Sequence, residues 1–391
     1  MHRPALMIIA LLTASLLPCG CGGDSLAREV TALLAQHCGE VETIGYVCMT
    51  EDGERLYREE FELRFPDDYR YRFYEDAAGE MRLRNITVQS GSNLYRVRAV
   101  PASSESAGSL EVETESNVPP LRCTGTYLAL YHLVGNVDYF QSMIALLDAG
   151  SLVVSGSEDL NGVTTFRLES ASGLQPRMVI WVDGATGLPL AKELALSDGR
   201  VVTFSYDDYE VNQGYTEEPF PPDALPFFDE GLPVSATARD GACQPVDMEN
   251  APALAGFTPL VPQLPGFDLS AVYLRDPMAS DLTVSEENVS YPEGFRELYL
   301  VLCDGVRQVE IRESPYDPEF AYYTTGMAAL SGAFLTSQEE FGDDAGNATY
   351  TAAIDCQEMR LTLQDIDVMV TGDLSRDEFE DLAIQLKQLS R

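Results

Sequence analysis

The chain has 391 residues, 45% of them hydrophobic, and 63 Asp+Glu against 25 Lys+Arg give a formal net charge of −38. A field of that sign excludes nucleic-acid binding through overall charge and repels anionic lipid headgroups. Three His and the lack of any Cys-x-x-Cys spacing argue against a zinc or redox centre.

The first residues, MHRPALMIIALLTASLLPCGCGG, place Arg3 before an apolar run and then small residues and Cys. This is the layout of a secretory signal, residues 1–20, with too short an apolar run to span a bilayer. The Gly20-Cys21 step resembles the cleavage box of bacterial lipoproteins, so Cys21 is the expected lipidation site, with Cys19 a poorer alternative because Pro18 precedes it. Any membrane contact is then expected through the N-terminal lipid. Beyond that site remain Cys38, Cys48, Cys123, Cys243, Cys303 and Cys356. An even number outside the cytosol suggests disulfides. Cys38–Cys48 and Cys303–Cys356, at the ends of neighbouring predicted elements, are the favoured pairs, which leaves Cys123–Cys243.

Length suggests two domains. Residues 25–212 form the first. Leu26, Val30, Leu33 and Leu34 recur at helical spacing. Strands follow, in which Phe61, Leu63 and Phe65, then Tyr69, Tyr71 and Phe73, then Tyr95, Val97 and Ala99 alternate with charged residues. Period two of this kind marks antiparallel strands with one apolar and one wet face. A second helix over 127–149 carries an apolar stripe including Leu130, Leu133, Val137 and Phe140. Four more strands contain Phe166, Ile180, Val182 and Phe204, with DGATG and SDG as turns and Trp181 in alternation with its neighbours. Ten of the 22 Pro lie between Pro219 and Pro265, so 213–256 is expected to be an extended, loop-rich linker and not sheet. Residues 257–391 read as a smaller domain with further strands, including ATYTAAIDCQ and MRLTLQDIDVMVTGD. It ends in an amphipathic helix with Ser375 and Glu378 as a capping box and Phe379, Leu382 and Leu386 inward. The fold class is α+β: a curved antiparallel half-barrel covering helices, then a small α+β domain.

No catalytic, metal or cofactor-binding residues are expected. The GDSL run at 23–26 lacks a late Asp-x-x-His partner, and Ser25 reads as a helix cap. The acidic runs at 207–210 and 343–355 lack an Asp-x-Asp-x-Asp-Gly calcium loop. Nine arginines fall between Arg55 and Arg98, and Arg70, Arg72, Arg96 and Arg98 are expected on the wet face of the first sheet. Two accounts stand beside each other: cross-strand pairing with Glu59, Glu60 and Glu62, or a docking face for an acidic partner or a lipid phosphate.

The order helix, strands, PDDYRYRF, helix, then GVTTFRLES and VIWVDGATGLPLAKELALSDGRVVTFSYDDYEVN resembles the LolA/LolB lipoprotein-carrier superfamily. The run WVD…TGLPL…DG, with LVPQLPGF and GDLSRDEFEDLAIQL further on, is similar to the two-domain RseB/MucB sensors that regulate anti-sigma factors. That resemblance implies a non-enzymatic protein of the cell envelope, in the periplasm or at the cell surface. It implies an apolar half-barrel cavity for acyl chains or lipoproteins, a helix at 127–149 that guards it, an anti-sigma factor or other envelope protein as partner, and no cofactor. The cavity residues so implied are Phe61, Leu63, Phe65, Tyr69, Tyr71, Phe73, Tyr95, Val97, Phe166, Ile180, Val182 and Phe204. Covalent tethering at Cys21 favours a fixed receptor or sensor over a shuttle; a structural or adhesive envelope module is the alternative.

Overall fold

A computed structural model describes residues 23–36, 41–64, 68–101, 108–116, 139–173, 177–196, 199–213, 232–240, 243–275, 294–305, 307–316, 336–353, 356–372 and 374–391. Helix α1 (Gly23–Ala35) is followed by β1 (Thr43–Asp52), β2 (Arg55–Arg64), β3 (Asp68–Ala77), β4 (Glu80–Ser90), β5 (Asn93–Val100) and β6 (Ser109–Ser116). Helix α2 (Tyr139–Asp148) precedes β7 (Leu152–Leu160), β8 (Val163–Ser170), β9 (Arg177–Asp183), β10 (Pro189–Ala195) and β11 (Val201–Val211). Then come β12 (Val234–Asp240), β13 (Cys243–Pro245), the short α3 (Ala251–Ala255), β14 (Asp268–Arg275), β15 (Glu297–Cys303) and β16 (Gln308–Pro315). The chain ends with β17 (Thr336–Glu340), β18 (Thr349–Ala353), β19 (Cys356–Leu363), β20 (Ile366–Gly372) and α4 (Arg376–Leu389).

Among the described residues the strands make two sheets. The first has twelve, in the order β12-β6-β5-β4-β3-β2-β1-β11-β10-β9-β8-β7, and the second has eight, β13-β14-β15-β16-β20-β19-β18-β17. Every pairing is antiparallel except β12 with β6. Tight turns make the meanders possible. Between β7 and β8, Asn161 and Gly162 both take positive φ (56° and 89°), the two-residue hairpin geometry whose twist matches the flanking strands.

Two features depart from the sequence-based expectations. The Pro-rich stretch 213–256 is not free of sheet: its window without Pro, VSATARD, forms β12 beside β6, and Cys243–Pro245 pairs with β14. The runs read as single strands in the second half end early. β18 stops at Ala353, and β19 turns back into β20 at Gln364, whose φ is 53°.

Each sheet has its own core. In the first, Val30 and Leu34 of α1 and Phe140, Met143 and Leu146 of α2 pack with β1–β3 and β7–β11. In the second, Phe379, Leu382, Ala383 and Leu386 of α4 cover β15, β16, β19 and β20. The α4 cap is built as its sequence indicates: Ser375 Oγ accepts from the Glu378 N–H, and the Glu378 carboxylate accepts from the Ser375 N–H.

Candidate functional site

Cross-strand pairing places side chains on faces. Tyr46 of β1 pairs with Phe61, and Phe61 with Tyr71. Thr50 pairs with Phe204, Phe204 with Lys192, Lys192 with Ile180, and Ile180 with Leu168. These rows lie on one face, called here the inner face, which α1 and α2 cover. Phe61, Leu63, Tyr69, Tyr71, Phe166, Ile180, Val182, Phe204 and Phe140 share one buried cluster, with Phe73 packed against it. Trp181 points away from it, its indole N–H donating to Glu158 on the outer face. Phe65, Leu130, Leu133, Val137, Cys21, Cys38 and Cys123 lie outside the described residues.

Tyr95 and Val97 are not part of this face. Val97 pairs with Ile86, and Ile86 with Arg72, so they lie on the outer side with Val88, Leu110 and Val112, in a separate small core. The apolar side of the first sheet thus inverts between β3 and β4. The same register separates the arginines: Arg70 and Arg72 are outer, whereas Arg96 pairs with Thr87 and so shares the side of Tyr71. The Tyr69 hydroxyl is pushed up to about 12 by burial, with Arg96 pulling it the other way, as a shared side requires. All four arginines meet carboxylates. Arg72 Nη1 is 2.9 Å from Glu60, Arg70 3.2 Å from Glu62, Arg96 3.5 Å from Glu113 and Arg98 3.5 Å from Glu111. Glu60 and Glu62 are the partners expected from the sequence; Glu59 instead turns inward.

That inward turn belongs to a polar cluster which sequence reasoning missed. Glu59 is buried; the Tyr71 hydroxyl donates to its Oε1 at 2.7 Å and the Thr50 hydroxyl to its Oε2 at 3.4 Å. Cys48 Sγ lies 3.8 Å from Thr50 Oγ1, and burial, reinforced by the Glu59 charge, pushes its thiol up to about 12, so it is unreactive at neutral pH. Lys192 is 3% exposed, with Nζ 4.2 Å from the centre of the Phe204 ring. The signal was in the spacing: Lys192 is in phase with Leu194, and Glu59 with Phe61 and Leu63.

Cys48, Cys243 and Cys303 carry free thiols, so the bridges expected at them are not formed. Cys48 in particular points into the core of the first sheet. Cys356 opens β19. Among the described residues no His, Cys, Asp and Glu group is arranged to hold a metal ion, and no helix is long and apolar enough to cross a membrane. A cleft of about 210 Å³ on the second sheet is lined by Arg312, Ser314, Asn347, Thr349, Arg360 and Asp367 among others. Arg312 is matched there by Glu297 and Arg360 by Glu358.

The described residues form a mostly β fold: an open twelve-stranded sheet with α1 and α2 packed against part of one face, and an open eight-stranded sheet. No family model matches the chain, and no curated protein matches it. Among solved structures the chain is similar to MucB, with 12% identity over 94% of this chain and 98% of that one and a TM-score of 0.31. It is also similar to the Pseudomonas aeruginosa MucA/MucB complex, at 14% identity over 92% and 97% with a TM-score of 0.28. A LolA superfamily protein from Nitrosomonas europaea matches at 13% identity over 52% of this chain and 99% of that one, TM-score 0.20. At these scores the likeness bears on neither ligand nor partner.

Proposed function

We propose that the chain is an exported, non-enzymatic envelope protein, tethered through an acylated Cys21, that binds acyl chains or the acyl chains of lipoproteins on the inner face of its first sheet. In this reading the sheet is the concave wall of a half-barrel, residues 25–212 are the binding domain and residues 257–391 the reporting domain. The reporting domain addresses a protein partner, which the sequence resemblance suggests is an anti-sigma factor. The observation that supports the proposal is the inner face itself: eight adjacent strands, β3-β2-β1-β11-β10-β9-β8-β7, contribute to one apolar core, interrupted by Glu59, Thr50 and Lys192. Among the described residues, α1 and α2 pack against it. A helix keeps its backbone hydrogen bonds when it moves aside, so it can yield to a ligand without breaking a strand ladder. Each methylene that replaces it gains ~0.8 kcal/mol on leaving water.

One observation favours a second reading, a structural or adhesive module with no ligand: Phe61, Leu63, Ile180, Val182 and Phe204 are already buried by the chain's own residues. Organic extraction of the purified mature protein, followed by mass spectrometry, separates the two readings. Co-purified acyl lipid, and displacement of a bound fluorescent fatty acid by unlabelled lipid, are expected. Absence of both leaves the structural module.

A further inference from the structure

Within the inner face, the cluster around Lys192 and Glu59 is costly as mere core. Removing an ammonium and a carboxylate from water is penalised even when they compensate each other, and apolar residues of similar volume would serve packing better. Lys192 and Glu59 are 3% and 7% exposed, in the middle of the sheet, among Tyr46, Phe61, Phe204 and Tyr206. Glu59 stands on β2 and Lys192 on β10, with β1 and β11 between them. The carboxylate already accepts from Tyr71 and Thr50. A neighbouring donor is left over: the Tyr46 hydroxyl is buried and has no hydrogen-bond partner among the described residues. Its ring is stacked on Phe61 at 4.7 Å, one step along the sheet from the Cys48–Glu59 pair. A buried O–H without an acceptor is unfavourable. The group that fits is an acceptor carrying no charge of its own, because Tyr46 lies one pair from Glu59 whereas Lys192 stands on β10, beyond β11, so an additional anion at Tyr46 would meet Glu59 in an apolar surround.

We propose that this cluster is the polar anchor of the acyl site and receives the ester or amide carbonyl of an esterified chain in preference to a free carboxylate. The proposal rests on the acyl-binding reading above and specifies its ligand. Glycerolipids and acylated proteins both carry such carbonyls at the end of an alkyl chain.

The test is displacement of the apolar dye N-phenyl-1-naphthylamine from the mature protein by methyl palmitate, palmitate and hexadecane at pH 8. Methyl palmitate is expected to compete best, with palmitate weaker by about tenfold, the order of one charge-sensitive contact. Tyr46→Phe is expected to lower methyl palmitate affinity by about fivefold to tenfold and to leave hexadecane unchanged, with unaltered Trp181 fluorescence as the folding control. Glu59→Gln is expected to narrow the gap between ester and acid. Palmitate competing as well as the ester, or Tyr46→Phe affecting ester and alkane alike, overturns the anchor while the acyl site stands. If none of the three displaces the dye, the acyl site and its anchor fall together. Comparing dipalmitoylglycerol with a peptide bearing dipalmitoylglyceryl-cysteine separates the sources: tighter binding of the peptide supports the anchor with an acylated protein as ligand, and equal binding supports it with a glycerolipid.

Discussion

Glu313 gives the second sheet a pH dependence of unusual sign for a carboxylate. It sits on β16 opposite Leu298, fully buried on the side of the α4 core. Its two oxygens lie 3.0 and 3.2 Å from a single donor, the Leu260 N–H. Burial pushes the carboxyl from 4.5 up to about 8, against the opposing pull of that N–H. The folded pKa therefore exceeds the unfolded one. The contribution to stability is fully present below about pH 4.5 and is lost as pH rises to about 8. At about 1.4 kcal/mol per pH unit the whole gap amounts to roughly 5 kcal/mol, of which roughly 4 kcal/mol falls between pH 5 and pH 9. Glu313→Gln retains an acceptor for Leu260 and removes the charge. Urea unfolding from pH 5 to pH 9, followed by near-UV circular dichroism of the tyrosines, is expected to show wild type losing roughly 4 kcal/mol relative to the variant across that window. Parallel stability curves for the two proteins would refute the argument.

Glu297 has the opposite sign. Burial pushes its carboxyl up, but Arg312 and Arg275 outweigh burial and hold it below the usual range; the contribution is present above the ordinary carboxylate pKa and lost as pH falls below it. Glu297→Gln leaves two largely buried guanidiniums without their shared partner and is expected to cost about 3–5 kcal/mol in urea unfolding at pH 7, with a flatter acid limb than wild type. Ser375→Ala removes one half of the α4 capping box and is expected to cost about 1 kcal/mol, read as a lower melting temperature by circular dichroism.

The legible parts of the fold were those where local chemistry and tertiary context agree. Helix α4 has its cap, its acidic first turn and its apolar stripe within fifteen adjacent residues. Strands β8 to β11 have turn residues between them and in-phase apolar positions that end in one core. Period two reveals that a strand has two sides but not which side a neighbour's apolar residues join, because that depends on pairing. Tyr95 and Val97 read like Tyr69 and Tyr71, yet the β3–β4 and β4–β5 pairings carry them to the other side of the sheet. The Gln364 turn was hidden for a related reason: neither Gly nor Asn marks it, and the flanking residues alternate as if one strand continued. Lys192 and Glu59 are in-phase positions, but a charged residue in a strand ordinarily marks a wet face, so pattern alone does not turn them inward. Placing the polar residues on the inner face therefore required the coordinates, whereas the in-phase positions of most of the buried apolar residues were legible in the pattern.

Helix α2 packs against both cores. Phe140, Met143 and Leu146 enter the core of the first sheet, while Ala145, on another side of the same helix, packs against the core of the second near β17 to β19. Met143 is fully buried, so Met143→Ala removes packing from the first core alone, at about 2–5 kcal/mol. If α2 is one rigid piece shared by both cores, loosening its grip on the first sheet also loosens the second. Hydrogen exchange should then quicken in β18 and β19 as well as in β8 and β9, although Met143 belongs to the first core. Exchange that quickens in the first sheet only would show that α2 transmits nothing, and a ligand displacing it from the inner face would have no route to the second sheet. Quickening in both sheets would make the ten-residue helix the element through which occupancy of one is felt by the other.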